Sequence, residues 1–262
     1  MLGNRRAPLR GRVPFRAMGE RHASTLEWRQ IARGPRPLYH VLTWPDIEDW
    51  KPEDFYAVGE SDWQDFHSHW QHYAGELTGT CLEIGCGAGR ISRMLGRQFE
   101  HVQCVDVSAD MIEKARAAAP DNVQFHQVDG VLLPLPDQAV DHVFSVHVLQ
   151  HLDDFDDVST YVREAERVLR PGGTMMLHIA ISSNEEKLLG RRGMIRRELK
   201  LWRARRGLAR GREHDAVRYR EYRWEDVQGL LMGLGLQRVE LRLIPVRSNG
   251  YGHSFWLATK PV

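Results

Sequence analysis

The run Leu82-Glu83-Ile84-Gly85-Cys86-Gly87-Ala88-Gly89-Arg90 places glycines at alternate positions. Glycine lets the chain turn sharply and leaves main chain open to close approach by a ligand. A helix that opens directly after such a loop turns its free N–H groups toward the same place. Asp106 stands 21 residues after Gly85, at the end of the next apolar run. That is where a carboxylate meets the two hydroxyls of a ribose. The loop departs from the dinucleotide pattern G-x-G-x-x-G, because Arg90 occupies the sixth position, where helix–strand packing wants a small residue. Glu83, two residues ahead of the first glycine, would repel a pyrophosphate and suit a cationic ligand. The pattern therefore points away from a nicotinamide dinucleotide.

Elements of alternating kind must hold these residues. Short apolar segments at Thr80–Ile84, His101–Asp106, Val123–Val128, Val140–Val146 and Thr174–Ile181 read as strands. Helical patterns over Arg90–Arg97, Ala109–Ala118 and Phe155–Leu169 fall between them. Strand–helix alternation predicts crossover connections and a parallel sheet. Upstream, Ser61 can cap a helix to Tyr73, with Trp63, Phe66, Trp70 and Tyr73 on one face; that aromatic stripe reads as core. Downstream, Glu185 to about Gly207 reads as basic and helical, followed by a helix near Trp224–Leu234 and strands over Leu236–Leu243 and Ser254–Thr259.

Several segments in this order resemble the class I S-adenosylmethionine-dependent methyltransferases, particularly their small-molecule group. Leu82–Arg90 is similar to the family's first motif. Val105-Asp106-Val107-Ser108-Ala109-Asp110-Met111 is similar to its ribose-binding segment, and Gln127-Val128-Asp129-Gly130 to the segment that reads adenine. Asp141 through Leu152 is similar to the fourth strand and its active-site edge, and Leu169-Arg170-Pro171-Gly172-Gly173-Thr174 to the turn into the fifth strand. The resemblance is strong over Thr80–Ile181 and loose over the last forty residues. It implies a doubly wound, mostly parallel seven-stranded α/β sheet with helices on both faces, an N-terminal helical cap over 51–78, a cofactor-binding core over 79–182, a basic helical insert over 183–223 after the fifth strand, and a closing helix and strands over 224–262. Residues 1–50 are expected to form an irregular basic arm.

The resemblance also implies S-adenosyl-L-methionine as cofactor and transfer of a methyl group to an O, N or C atom of a small or medium-sized molecule. Asp106 would hold the ribose hydroxyls, Met111 would pack near the adenine, and Asp129 with Gly130 would read its amino edge. Gly85 and Gly87 would lay main chain along the methionine portion, with Glu83 near its ammonium end and Val146 at the edge of the fourth strand. Methyl transfer needs alignment and exclusion of water, and a general base only where the nucleophile is protonated. His151 is the candidate base, with helix capping or packing as its alternative role. Tyr56, His147 and His253 are candidates to contact substrate.

No metal is expected at His67, His69 and His72, because offsets of two and five along a helix do not bring three imidazoles to one point.

Apolar residues make up 42% and charged residues 27%, which excludes wholesale disorder, and no apolar run approaches a membrane span. The basic start lacks the apolar core of a secretory signal. Cys81, Cys86 and Cys104 suit free thiols in a reducing, cytoplasmic setting. The net charge of +1 hides a segregation: residues 1–21 carry +5, residues 187–223 carry +10 and the rest −14. Within the insert, Leu188, Ile195, Leu199 and Trp202 share a face among Arg191, Arg192, Arg196, Arg197, Lys200, Arg203, Arg205 and Arg206. Such a helix can lid an acidic substrate, touch a membrane surface or nucleic acid, or dock on the acidic core. Two other readings stay open: a methyltransferase for RNA or a lipid recruited by these segments, and a non-catalytic scaffold that holds the cofactor. Oligomeric state is not legible.

Overall fold

The computed structural model describes residues 22–34, 37–38, 51–182, 219–246 and 252–262. Strands β1 (Thr80–Ile84), β2 (His101–Asp106), β3 (Val123–Gln127), β4 (Val140–Ser145) and β5 (Leu169–His178) pair in parallel. β6 (Gln237–Pro245) and β7 (Gly252–Thr259) complete one sheet in the order β3-β2-β1-β4-β5-β7-β6, with β7 antiparallel to both neighbours. The helices are α1 (Ala23–Ala32), α2 (Pro52–Ala74), α3 (Ser92–Gln98), α4 (Ala109–Arg116), α5 (Phe155–Val168) and α6 (Trp224–Gly233). The α/β, seven-stranded architecture expected from the sequence is the one observed. β1 and β4 lie side by side while their connections leave in opposite directions, so a crevice opens beyond their carboxyl ends.

The pleat sorts each strand's apolar residues onto two faces. Leu82, Ile84, Val143, Met175, Leu177 and Trp256 face one core with α5 and α6, which contribute Val158, Val162, Ala165, Val227 and Leu231. Cys81, Cys104, Phe144, Met176, Phe255 and Leu257 face the other. There the stripe Trp63, Phe66, Trp70 and Tyr73 of α2 fills the core, as its spacing predicted. Both faces are covered, so the central strands read as nearly continuous apolar runs.

The boundaries differ from the sequence reading in instructive places. Residues 23–32, expected to be irregular, form α1. α2 starts nine residues before Ser61, with proline at its first position and the Asp54 carboxylate accepting from the Lys51 N–H at 3.4 Å. β5 begins at Leu169 rather than Thr174, because Gly172 and Gly173 exchange hydrogen bonds of 2.9 Å with Lys260 beyond β7. Arg90 and Ile91 belong to the turn before α3. The basic insert lies almost wholly outside the described residues. Among those described, no helix is long and apolar enough to cross a membrane. All three cysteines are buried and free.

α2 is clamped onto the β1–α3 turn. A Cβ on Gly59 would fall 2.5 Å from the Arg90 carbonyl oxygen, so glycine permits the approach. The Arg90 guanidinium, 4% exposed, is paired with the Asp62 carboxylate, 3% exposed. Removing one partner of a buried pair leaves an uncompensated charge. Asp62→Ala is therefore expected to lower unfolding stability by about 3–5 kcal/mol, read from the denaturant midpoint; a loss under about 1 kcal/mol, the range of exposed pairs, would show that water reaches Arg90.

Candidate active site

The crevice beyond β1, β2 and β4 measures about 1030 Å³ including its open mouth. The glycine loop forms its floor. Gly85 and Cys86 donate their N–H groups to the Val105 carbonyl at 2.8 and 3.1 Å, which ties the loop to β2. Gly85 has φ +75°, and a Cβ there would meet Val148 at 2.1 Å. Gly87 has φ +51° with open space where a Cβ would stand, so its main chain faces the crevice bare.

Asp106 ends β2 at one side of this floor. Its Oδ2 accepts from the Gly87 N–H at 2.8 Å and its Oδ1 from the Ser108 N–H at 2.9 Å. Each oxygen keeps acceptor capacity for a ligand hydroxyl. Burial pushes the carboxyl's pKa up, while backbone hydrogen bonds from Ser108, Gly87 and Val107 oppose the shift. Ser108 caps α4 by accepting from the Met111 N–H at 3.3 Å, and Met111, 3% exposed, lines the crevice. Gly130, φ +115°, and Val131 line the facing side, where the Tyr161 hydroxyl donates to the Gly130 carbonyl at 2.9 Å. Val146, His147, Val148 and His151 supply the wall that follows β4.

Glu83 lies beneath the loop, 2% exposed. Its Oε2 accepts from the Ser92 hydroxyl and, at 3.5 Å, from the Cys104 thiol. Burial raises its pKa to about 7 against these hydrogen bonds and the field of Arg90. A buried acid of this kind suits a cationic ligand, whose charge would favour the ionised form.

The fourth wall is α1, which the sequence reading missed. His22, Ser24, Thr25 and Trp28 all line the crevice. The Asp153 carboxylate, from the loop before α5, caps the helix across space by accepting from Ala23 and Ser24 N–H at 2.8 and 3.1 Å. His22 Nδ1 meets Asp157 Oδ2 at 3.1 Å. Arg29 donates to the carbonyls of Val107 at 2.8 Å and Val128 at 3.3 Å. The signals that could have found it are the Ser24-x-x-Glu27 spacing and Gly34 just past its end.

Glu83, Gly85, Gly87, Asp106, Met111, Gly130, Val146, His147 and His151 thus line one crevice. Asp129, Tyr56 and His253 fall outside the described lining, for separate reasons. The Asp129 side chain, 64% exposed, pairs with Arg29 at 3.2 Å. The Tyr56 hydroxyl donates to the Ala88 carbonyl at 3.2 Å, under an Arg93 guanidinium 4.6 Å from its ring. His253 is buried behind His147, its ring centroid 4.8 Å away. His151 packs edge-on to Trp28 at 5.1 Å.

Glu83 gives the site a pH signature. An acid whose pKa is higher folded than unfolded costs stability as pH rises between the two values. From 4.5 to about 7, the wild type should lose about 3 kcal/mol relative to Glu83→Gln. Parallel melts of the two proteins from pH 4 to 8 measure this; curves of equal slope would mean that Glu83 ionises freely.

A model described as a methyltransferase domain matches residues 82–177. The chain is 30% identical over 144 residues to methyltransferase GfsG of Streptomyces halstedii, covering 53% of this chain and 49% of that one. It is 36% identical over 102 residues to 27-O-demethylrifamycin SV methyltransferase of Amycolatopsis mediterranei (strain S699), covering 37% of this chain and 36% of that one. The chain thus spans about half or less of the length of these curated relatives. In fold it is similar to magnesium protoporphyrin IX methyltransferase (ChlM) of Synechocystis PCC 6803 with bound SAH, at TM-score 0.61 and 18% identity, over 90% of this chain and 99% of that one. The match to a methyltransferase domain thus falls on the segment that holds the glycine loop after β1 and Asp106 at the end of β2.

Proposed function

We propose that the protein transfers a methyl group from S-adenosyl-L-methionine to an oxygen, nitrogen or carbon atom of a small or medium-sized molecule. The observation that carries this reading is the juxtaposition, in one crevice, of the Asp106 carboxylate, the bare main chain of Gly87 and the buried Glu83. The cofactor, when bound, supplies a methyl carbon on a positively charged sulfur, which is already a good leaving group.

The chain's own residues have binding, orienting and water-excluding tasks. Asp106 accepts from the ribose hydroxyls with its orientation already fixed by two backbone N–H groups. Met111 and the main chain of Gly130 and Val131 enclose the adenine, without the Asp129 side chain. Glu83 places negative charge under the methionine ammonium. α1 covers the crevice and keeps water from the reacting atoms. His151, held against Trp28, accepts a proton where the acceptor carries one. Relatives named for a rifamycin and for 2-methyl-6-phytyl-1,4-hydroquinone support a medium-sized, ring-bearing acceptor rather than a metabolite of a few atoms.

Calorimetric titration with S-adenosylhomocysteine tests the cofactor site. A charged acceptor bonded to two hydroxyls is worth about 1.5–3 kcal/mol per bond, so Asp106→Ala should weaken binding by roughly a hundredfold or more. Binding unchanged in that variant, or absent from the wild type, would refute the reading. Labelled methyl donor, incubated with the wild type and a panel of polycyclic phenols and amines, then separates an enzyme from a scaffold that binds and transfers nothing. Asp153→Ala strips two hydrogen bonds from the start of α1. Stopped-flow measurement should show product leaving severalfold faster; an unaltered off-rate would mean that α1 does not close the site.

A further inference from the structure

Behind the crevice wall stand three imidazoles that the proposed reaction does not fully use. His147 follows β4, His178 ends β5 and His253 belongs to β7, and the β4–β5 and β5–β7 pairings bring them together. Their ring centroids are 5.0 Å (His147–His178), 4.8 Å (His147–His253) and 5.1 Å (His178–His253) apart. One ring nitrogen from each lies within 4.8 Å of the others. His178 and His253 are buried at 4% and 9% exposure, while His147 borders the crevice. Burial, with repulsion from His253, pushes the pKa of His178 down to about 3, and burial holds His147 and His253 below the usual histidine range, so all three are neutral. The neutral ring is the form that ligates a metal.

Two further features belong to the same cluster. His147 has φ +59°, a conformation uncommon outside glycine and found at sites that need a side chain held in place. Gln150, 2% exposed, sets its amide nitrogen 3.3 Å from His147 Nδ1 while its buried Oε1 has no hydrogen-bond partner. Exchanging the two amide atoms gives Oε1 the Nδ1–H proton and leaves Nε2 of His147 bare. That is how an outer-shell carbonyl orients a ligating histidine. The neighbouring Arg90 cation is matched by Asp62, so the pair leaves no net charge to repel an ion.

We propose that His147, His178 and His253 bind a divalent transition-metal ion of the zinc type. Three neutral nitrogen donors suit that ion, and the fourth position would open toward the crevice. Entry of the ion at His178 Nδ1 would displace the long contact from the His147 N–H at 3.3 Å. An oxygen or nitrogen of the methyl acceptor would occupy the open position and lose its proton more readily there, which rests on the methyl-transfer reading.

The test uses full-length protein without a histidine tag, stripped with a chelator and titrated with cobalt(II). One equivalent should bind and give the visible bands of a tetrahedral site. His178→Ala and His253→Gln should each weaken binding at least tenfold, while the doubly substituted His69→Gln, His72→Gln protein should not. S-adenosylhomocysteine binding, measured on every variant, reports folding, and His253→Gln decides if His178→Ala does not fold. Cobalt binding lost with the cofactor product still bound supports the site. Wild type that binds the cofactor product but no cobalt, or cobalt binding equally strong in both histidine variants, overturns it. Cobalt binding without any affinity for the cofactor product would leave the metal site standing and remove the methyl-transfer reading.

Discussion

The turn between β1 and α3 is pressed from every side, and the site exists because its backbone yields. Val148 approaches Gly85 from β4's side, Ala115 of α4 stands 3.0 Å from where a Gly89 Cβ would lie, and Gly59 of α2 bears on Arg90. Only residues without a Cβ fit those places, and Gly85 and Gly89 stand at positive φ as well. The turn also orients Asp106, because it aims the Gly87 N–H at the carboxylate. Ligand recognition is therefore a by-product of helix and strand packing, and the Arg90–Asp62 pair holds both together.

α1 shows a different kind of stabilisation. Its docking relies largely on charged and polar groups that reach backbone: Asp153 onto two amides, Arg29 onto two carbonyls, and Arg33 to Asp110 at 3.2 Å. Contacts of this sort are specific in direction but modest in net free energy, because each exchanges a hydrogen bond with water for one within the protein. A wall built this way can leave and return without disturbing the two apolar cores.

What could be read from the sequence follows this division. The glycine loop, Asp106 and the central strands announce themselves, because local backbone geometry and an apolar period fix them. The aromatic stripe of α2 was legible for the same reason. α1 was marked only by the Ser24-x-x-Glu27 spacing and Gly34, since the group that caps it in space is Asp153, 130 residues away. Asp129 reads as a site acid until Arg29 of α1 is placed beside it. Tyr56 depends on the carbonyl of Ala88, and His253 on neighbours from two other strands. Long-range partners, rather than residue types, decide those cases.

The position of β7 has a consequence for how the chain assembles. It is an interior strand, hydrogen-bonded on both edges, yet it is drawn from residues 252–259. Until those residues emerge during synthesis, β5 presents an open, largely apolar edge to its surroundings. Such an edge invites pairing with another chain. The nascent protein should depend on a holding chaperone until β7 has emerged, and damage to β7 should show as insoluble product rather than as a folded but weakened protein.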